Sequence, residues 1–341
     1  MTCNIWFNHG FSSLYNVLNL IRSGDQGKRI RLLCSHSTHE FVGFAAADAA
    51  FVEPAGLDDQ GYLSYCLDFC HRESINLFIP TRKASFLSSH EDRFAALGTL
   101  LHTTCPPDSF QLTEHKGSFY DLCCEKGLPV PEYRVVSSCA EFDEAHRQLR
   151  TRHPVVCFKP CVSIFGLGFR ILCESGREID RLLSGENYKI GVNYARTILA
   201  EGEPFRPLMV MQYLEGEERS VDCLSDHGKL LRCVVRLKSS SAGGAEILED
   251  NPEIEALTAP VVSLFRLNGL CNVQFRSTNG IPYLLEVNTR MAGGIHFGAY
   301  AGLNLPYWGA SYALGHCGID DIPFPTTGAH VAKVDVGVVV S

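Results

Sequence analysis

The stretch Pro282-Tyr-Leu-Leu-Glu-Val-Asn-Thr-Arg-Met-Ala-Gly-Gly294 decides the fold, because it joins a strand-forming run to oxygen-bearing side chains and a glycine loop. Side chains in a strand alternate between faces, so Leu284, Glu286 and Asn288 share one face. A carboxylate beside an amide oxygen, followed by Arg290, suits Mg²⁺ held against phosphates, because Mg²⁺ takes oxygen ligands. An ordinary hairpin with polar residues facing water would have the same pattern, and this stretch alone does not separate the two.

A second strand-forming segment, Gly269–Arg276, precedes this stretch, and the link Ser277-Thr-Asn-Gly280 has turn chemistry. In a hairpin, Gln274 can meet Glu286 across the ladder only if the loop holds an odd number of residues. A two-residue Asn-Gly turn would turn Gln274 to the opposite face. Pro282 lacks an amide hydrogen and favours the looser turn, so we expect an odd loop.

Five short motifs follow one another along the chain. They are Thr113-Glu-His-Lys116 leading to Glu125–Pro131, then Pro154–Pro160, Leu208–Asp222, Asn272–Phe275 and Leu285–Arg290. In this order they resemble the ATP-grasp superfamily, especially the branch that contains carbamoyl-phosphate synthetase and small carboxylate–amine ligases. Each motif is short and weak alone, but five in sequence are specific.

The resemblance implies a mixed α/β and α+β architecture, the ATP-grasp fold. It implies an N-terminal Rossmann-like (pre-ATP-grasp) domain at 1–112 and a central linker helix region at 113–136. A small lid domain would follow at 137–210, and a larger C-terminal antiparallel-sheet domain at 211–341 would carry the metal site.

The resemblance also implies an ATP site. Lys116 would reach the phosphates, Lys159 would contact the α-phosphate and the adenine edge, and Glu218 would hold the ribose hydroxyls. The hinge that reads the adenine through its backbone would be Met211, Gln212, Tyr213 and Leu214.

The family's flexible phosphate loop is often a dense Gly/Ser run, and this chain departs from that pattern with Cys161-Val-Ser-Ile-Phe-Gly-Leu-Gly168. Only Ser163, Gly166 and Gly168 fit a backbone cradle for phosphate. Ile164 and Phe165 would stiffen the loop or close it over the nucleotide.

The metal ligands implied by the resemblance are Gln274, Glu286 and Asn288, for Mg²⁺ with Mn²⁺ as an alternative. Arg290 would meet the transferred phosphoryl group. Gly293 and Gly294 stand at an expected helix start, where backbone amides bind anionic groups. His296 fits a substrate contact or a helix surface, and the sequence does not separate these.

The sequence predicts a hairpin around Asp226-His-Gly228, which would place three cations, Arg232, Arg236 and Lys238, on one strand face. We do not expect such a face to be core. A solvated edge is the usual case, but in this context we favour Arg236 and Lys238 pointing at phosphates or a substrate carboxylate.

The first hundred or so residues alternate strand and helix signals, which predicts a doubly wound parallel sheet. No Gly-x-Gly-x-x-Gly follows the first strand, so we expect no dinucleotide site. Ligands of such sheets lie beyond the carboxyl ends of the strands, a location that suits His9, Ser12 and the Thr81-Arg82 pair. Ordinary loop polarity explains each of them equally well.

Four local expectations complete the pattern. Thr113 would cap a helix beginning near His115. Residues 183–207 are polar and hard to assign, as in a mobile excursion. Met209–Leu214 would return the chain to the larger domain, and Val331–Val340 would form a last strand.

The composition of the chain limits the kinds of binding partner that we expect. A net charge of −8 disfavours nucleic acid, which needs clustered Lys and Arg. No apolar run approaches the length of a membrane span, and the N-terminus lacks a signal-peptide pattern, so we expect a cytoplasmic protein. The fifteen cysteines lack zinc-type spacing and are expected mostly as small buried residues.

These features predict an ATP-dependent ligase for a small-molecule carboxylate and amine, amino-acid-like in kind. A homodimer is the assembly that the resemblance suggests, and the sequence leaves the oligomeric state open. The carboxylate would be phosphorylated to an acyl phosphate, which the amine then attacks. A kinase that stops at the phosphorylated product and a non-catalytic nucleotide-binding module are the alternatives.

Overall fold

The computed structural model describes residues 2–163, 166–239, 241 and 243–340, and the chain divides into two compact units. The first unit holds the chain up to Gln111, Glu218–Gln274 and the chain from Val287 onward. The second unit holds Leu112–Glu217 and Phe275–Glu286. Both strands that carry the expected metal ligands therefore begin in one unit and end in the other.

The leading part of the first unit is a parallel sheet with helices, as its alternating pattern predicted. Its elements are β1 (Cys3–Asn8), α1 (Leu14–Gly24), β2 (Ile30–His36), β3 (Ala49–Val52), α2 (Asp59–Arg72), β4 (Leu77–Pro80), α3 (Ala84–Ser88), α4 (Glu91–Ala95), β5 (Leu100–Leu101) and α5 (Pro107–Glu114). The strand order is β3-β2-β1-β4-β5, with every pair parallel. Trp6 anchors this sheet, with ring centroids 4.2 Å from Phe69 and 4.0 Å from Phe78.

The second unit is built around a five-stranded sheet. Its elements are α6 (Lys116–Glu125), β6 (Tyr133–Val136), α7 (Cys139–Arg150), β7 (Val156–Pro160), β8 (Arg170–Cys173), α8 (Glu178–Ser184), β9 (Lys189–Gly191), α9 (Val192–Ala200) and β10 (Leu208–Gln212). The strand order is β6-β10-β7-β8-β9.

Three local expectations need correction here. The strand expected to return to the larger domain is β10, which instead pairs antiparallel with β6 and β7 inside this sheet. Residues 183–207 include β9 and α9 rather than forming an unstructured excursion. Thr113 is not the cap of α6, because it lies within α5; the His115 ring accepts the capping hydrogen bond from the Ser118 amide.

The remaining elements form a six-stranded sheet with two helices. They are β11 (Glu218–Asp226), β12 (Lys229–Leu237), β13 (Glu246–Glu249), α10 (Pro252–Leu264), β14 (Gly269–Thr278), β15 (Ile281–Asn288), α11 (Leu305–Ala313) and β16 (His330–Val331). The order is β15-β14-β11-β12-β13-β16. The β11–β12 hairpin around Asp226-His-Gly228 is confirmed. The expected strand Val331–Val340 was wrong, because only His330–Val331 pairs, with β13.

The loop between β14 and β15 contradicts the expected odd length. It is the two-residue Asn279-Gly280 turn, with φ of 50° and 76°. Burial along β15 nevertheless changes phase, since Pro282, Leu284 and Val287 are the buried positions. An extra residue in a strand shifts the alternation in this way. The buried positions therefore shift by one residue within the strand, whereas we expected the loop to produce this shift.

One hydrophobic core joins the two sheets of the first unit. Ile5 and Leu32 of the parallel sheet, Leu224 and Val234 of the six-stranded sheet, and Leu305 of α11 all belong to it. Most cysteines are buried, as expected. Within the described residues, no helix has the length and apolar character to cross a bilayer.

Gly280→Ala should destabilise the protein by about 1 kcal/mol, because an L-residue is strained at a φ of 76°. An added Cβ there would meet nothing within 4 Å, so the cost is purely conformational. Gly202 is equally open but has no left-handed φ, and Gly202→Ala is the matched control. Urea denaturation of both variants would contradict this account of the turn if the two changes in unfolding free energy were equal.

Candidate functional site

The second unit holds two lysines, one buried and one half-buried, whose charges interact with the carboxylate of Glu286. Lys159, in β7, is 8% exposed, and its Nζ lies 5.3 Å from the centroid of the Tyr120 ring. The Tyr120 hydroxyl donates to the carbonyl oxygen of Leu285 at 2.9 Å, which ties α6 to the end of the segment that carries Glu286. Lys116, the first residue of α6, donates from Nζ to the Ser163 carbonyl oxygen at 2.8 Å.

Electrostatics show how closely these groups interact. Burial lowers the pKa of Lys159 to about 8, with Glu286 opposing the shift and Lys116 adding to it. Burial also lowers the pKa of Lys116, and Glu286 again opposes. The structure therefore brings together Lys116, Lys159 and Glu286, three residues that the sequence argument selected from motifs far apart in the chain. Two cations around one carboxylate leave a net positive charge, which suits an anionic ligand.

The expected hinge lies at the end of β10, an interior strand of the same unit's sheet. Met211, Gln212 and Leu214 are buried, and the Tyr213 amide donates to the Val155 carbonyl oxygen at 3.1 Å. The Tyr213 ring lies 6.4 Å from the Phe169 ring and 5.4 Å from the Arg276 guanidinium carbon. Arg276 was missed by the sequence argument, although it lies two residues after Gln274 on the same strand.

The expected phosphate loop follows β7. Gly166 and Gly168 both have left-handed φ angles, 67° and 80°. A Cβ on Gly168 would lie 2.7 Å from Pro160 Cγ, so this position needs glycine for space as well as conformation. Ser163 holds Lys116 through its carbonyl oxygen, and Ile164 and Phe165 lie outside the described residues.

In the first unit, the two expected amide ligands share a partner. Gln274 donates from Nε2 to Asn272 Oδ1 at 3.1 Å, and Asn288 donates from Nδ2 to the same oxygen at 3.3 Å. Asn272 is fully buried. It was quoted in the motif Asn272–Phe275 but given no role; its position two residues before Gln274, on the same strand face, was the available signal.

Arg236 overturns the expectation that the cationic face is not core, because its side chain is only 2% exposed. Its Nε donates to Asp222 Oδ2 at 2.7 Å, Nη2 donates to Ser220 Oγ at 3.1 Å, and Nη1 donates to Glu246. Burial lowers the pKa of Arg236, but Asp222 and Glu246 more than offset this and hold it above its ordinary value. Its charge is thus already balanced by protein carboxylates.

Other expected residues of the first unit take more local partners. Lys238 Nζ lies 3.3 Å from Glu218 Oε1. Arg290 donates from Nη1 to the Met291 carbonyl oxygen at 3.1 Å, and its guanidinium carbon lies 5.4 Å from the Phe11 ring centroid. Arg290 also lines a cavity of about 40 Å³, together with Thr81 and Thr104.

A short 3-10 helix, Ile295–Ala301, follows Gly293 and Gly294 and contains His296 in its first turn. A Cβ on Gly294 would lie 2.5 Å from Arg236 Nη1, so this glycine makes room for the buried guanidinium. Gly293 is exposed and open. Within the part of the chain that the structure describes, His296 Nδ1 is buried and has no hydrogen-bond partner, and burial followed by the Arg236 charge lowers the pKa of His296.

The candidate residues of the leading sheet lie at the carboxyl ends of its strands. Ser12 is exposed, and His9 Nε2 lies 2.9 Å from Ser37 Oγ. Arg82 donates to the buried Glu53 at 3.1 Å. The Thr81 amide donates to Asn8 Oδ1 at 2.6 Å, so Asn8 ties the loop after β4 to the end of β1.

The oxygen-bearing ligand types suit magnesium. Glu286 offers a carboxylate and Gln274 and Asn288 offer amide oxygens, which are hard ligands. Among the described residues, no group of three or more His, Cys, Asp or Glu side chains is arranged to hold a metal ion.

Comparisons with known proteins define the class. The family model "ATP-grasp in the biosynthetic pathway with Ter operon" matches residues 204–336. The chain superimposes on N5-carboxyaminoimidazole synthetase from Staphylococcus aureus with a TM-score of 0.67 at 11% identity, covering 96% of this chain and 81% of that one. L-amino acid ligase from Bacillus licheniformis gives 0.62 at 14% identity, covering 92% and 74%. The fold is therefore the ATP-grasp fold, as expected.

Sequence relatives narrow the class. The carbamoyl phosphate synthase large chain of Methanosarcina mazei is 26% identical over 339 residues, covering 88% of this chain and 28% of the relative. The chain thus spans well under half of the length of the curated relatives that it matches, and the share is 17% for the carbamoyl phosphate synthase large chain of Mycobacterium tuberculosis. The chain therefore has the ATP-grasp fold and is similar in sequence to carbamoyl phosphate synthase large chains, which agrees with the resemblance.

The lowered pKa of Lys159 predicts the direction in which the stability of the fold changes with pH. Below pH 8 both folded and unfolded states carry the charge, and the folded state bears its full burial cost. Between about pH 8 and 10.5 the unfolded state binds more protons, so stability rises with pH. Lys159→Met should therefore be more stable than the parent at pH 7, by an excess that shrinks by about 3 kcal/mol towards pH 10.5.

Urea denaturation of parent and variant at several pH values would measure this excess. Lys126→Met is the control, because Lys126 is exposed and should give a nearly constant difference. A pH-independent excess for Lys159→Met would show that the Lys159 amine is not held in a charge-disfavouring environment.

Proposed function

We propose that this chain is an ATP-dependent carboxylate–amine ligase that phosphorylates a small carboxylate and joins it to an amine, releasing ADP and phosphate. The observation that carries the proposal is the cluster of Lys116 and Lys159 around Glu286 in the second unit. Such cations, partly withdrawn from water, suit a polyphosphate, and such a carboxylate suits a magnesium ion bound to it.

The nucleotide would be held mainly by residues of the second unit. Lys116 and Lys159 would neutralise phosphate oxygens, and the backbone from Met211 to Leu214 would read the adenine edge. Gly166 and Gly168, with their left-handed backbones, would let the loop after β7 approach the phosphates. Glu218 would hold the ribose, with Lys238 as its ionic partner.

Magnesium, held by Glu286, Asn288 and Gln274, would supply charge neutralisation between the nucleotide and the attacking carboxylate. Arg290 would bind the transferred phosphoryl group, because its planar guanidinium matches phosphate oxygens. Arg236 is already paired with two carboxylates, so we assign it to holding the site together rather than to contact with phosphate.

The chemistry follows from two anions that must meet. A carboxylate oxygen attacks the γ-phosphorus and ADP departs, giving an acyl phosphate. The amine nitrogen then attacks the acyl carbon, phosphate departs, and the amine proton passes to solvent. Positive groups fixed in advance lower the repulsion in the first step, and exclusion of water protects the acyl phosphate.

Amino-acid-like substrates are the part of the proposal with the narrowest support. One structural neighbour is an L-amino acid ligase, and several sequence relatives are carbamoyl phosphate synthases. The cavity beside Arg290 is lined also by Thr81 and Thr104, side chains that can bind a polar group of such a substrate.

A combinatorial assay should show the reaction class directly. With Mg²⁺ and ATP, we expect phosphate release only when a carboxylate and an amine are supplied together, because the acyl phosphate needs an acceptor. Amino acids paired in a matrix, read by phosphate release and by mass spectrometry of the amide, would measure this. ADP formation that needs a carboxylate but no amine, with the phosphoryl group retained on the product, would indicate the kinase alternative, and nucleotide binding without turnover would indicate a binding module.

Glu286→Gln should lower ADP formation by about 10²–10³-fold, because it removes the carboxylate facing both lysines while keeping the side chain's size. The Mg²⁺ concentration for half-maximal rate should rise in parallel. Glu253→Gln, at an exposed carboxylate in the first turn of α10, is the control. An unchanged Mg²⁺ requirement in Glu286→Gln would remove Glu286 from the metal assignment.

A further inference from the structure

Asn272 lies at the centre of a buried polar network in the first unit. Its amide nitrogen has three acceptors: Ser220 Oγ at 2.9 Å, the Val221 carbonyl oxygen at 3.1 Å and Asp222 Oδ1 at 2.9 Å. Asp222 is itself fully buried and paired with Arg236. Every group in this network sits in the strands β11, β12 and β14.

The network fixes which way the Asn272 amide points. The oxygen and nitrogen of a carboxamide differ in hydrogen bonding, so its orientation follows from its neighbours. An ionised carboxylate only accepts hydrogen bonds, so the NH₂ group of Asn272 must face Asp222. A flipped amide would set its oxygen against Asp222 Oδ1. Arg236 Nη2 would still donate to Asp222 Oδ1 at 3.3 Å, but the Asn272 donor would be lost and two buried oxygens would face each other, a costly arrangement.

The orientation passes on to two further amides. With its nitrogen turned to Asp222, Asn272 presents Oδ1 to Gln274 Nε2 and to Asn288 Nδ2. Each of those amides therefore turns its NH₂ group towards Asn272 and its carbonyl oxygen away. Reversing either one would bring two carbonyl oxygens together.

We propose that Asn272 is a positioning residue for the divalent-cation site, orienting Gln274 and Asn288 so that their oxygens, and not their nitrogens, are offered as ligands. The order of dependence runs from the Arg236 guanidinium to the Asp222 carboxylate, to Asn272, and then to the two ligand amides. The identity of the ion rests on the proposed function, but the orientation of the amides does not.

Asn272→Leu tests the proposal, because leucine has nearly the same size but gives Gln274 and Asn288 no acceptor. The amides can then rotate, and the affinity for Mn²⁺ in the presence of ADP should fall by about 10–100-fold, as for other outer-shell partners of metal ligands. Metal-free ADP affinity should stay within about twofold. Electron paramagnetic resonance of free Mn²⁺ and calorimetry of ADP measure the two quantities without any turnover.

The double exchange Asp222→Asn with Asn272→Asp is the second variant. The exchange keeps a donor–acceptor pair between the two positions. The new amide at position 222 still offers a carbonyl oxygen to Arg236, and the new carboxylate at position 272 still offers an acceptor to both ligand amides. We expect its Mn²⁺ affinity to stay within about threefold of the parent, although its thermal stability should fall. Rescue of this kind depends on hydrogen-bond direction, which a purely structural role of Asn272 would not require.

Thr258→Val is the control for lost stability alone. Thr258 is fully buried in the first unit and donates to the Ile254 carbonyl oxygen at 2.7 Å, so its removal weakens the fold by one hydrogen bond. We expect a lower melting temperature with unchanged Mn²⁺ affinity.

The outcomes separate this inference from the proposed function. Equal Mn²⁺ affinity in parent and Asn272→Leu overturns the inference, as does loss of affinity in the double exchange equal to that of Asn272→Leu. A parent that binds no Mn²⁺ overturns both the inference and the metal assignment. A parent that binds Mn²⁺ and ADP, shows the expected pattern, but forms no ADP with any carboxylate supports the inference and overturns the proposed function alone.

Discussion

The buried ion pair between Arg236 and Asp222 is the constraint on which the rest of the site in the first unit depends. A guanidinium that is 2% exposed needs a full set of acceptors, and Asp222, Glu246 and Ser220 supply them. Its packing in turn requires glycine at Gly294. Loss of one partner from such a pair typically costs about 3–5 kcal/mol, so neighbouring residues are held to one arrangement. That rigidity is what gives Asn272 a single orientation.

The charged groups of the second unit are balanced less completely than Arg236 is. Lys116 and Lys159 are partly or largely withdrawn from water, and the charge of Glu286 only partly offsets the cost of burial, as their lowered pKa values show. A ligand with several negative charges would relieve this cost on binding. Excess positive charge at one site and neutralised charge at the other therefore divide the work between binding an anion and holding a geometry.

Much of the architecture could be predicted from local pattern. Alternation of strands and helices predicted the parallel sheet, and the turn at Asp226-His-Gly228 predicted the β11–β12 hairpin. Long-range arrangement was harder. The strand β10 was assigned to the larger domain, but it pairs within the sheet of the second unit. In the β14–β15 hairpin, the loop was expected to be odd in length, whereas the shift in the buried positions lies within β15. Neither error is visible locally, because strand partners and bulges depend on which face the completed sheet buries.

By itself, the sequence determined which residue types are candidates for the chemistry: lysines on α6 and β7, and a glutamate and two amides on paired strands. It also determined an order of motifs that resembles the ATP-grasp superfamily. Only the tertiary structure decided how their charges are balanced. Arg236 and Arg290 have the same side chain, yet one is buried among carboxylates and the other lines a cavity. The reason is physical: burial and the surrounding charges set the state of an ionisable group, and both are properties of the assembled fold.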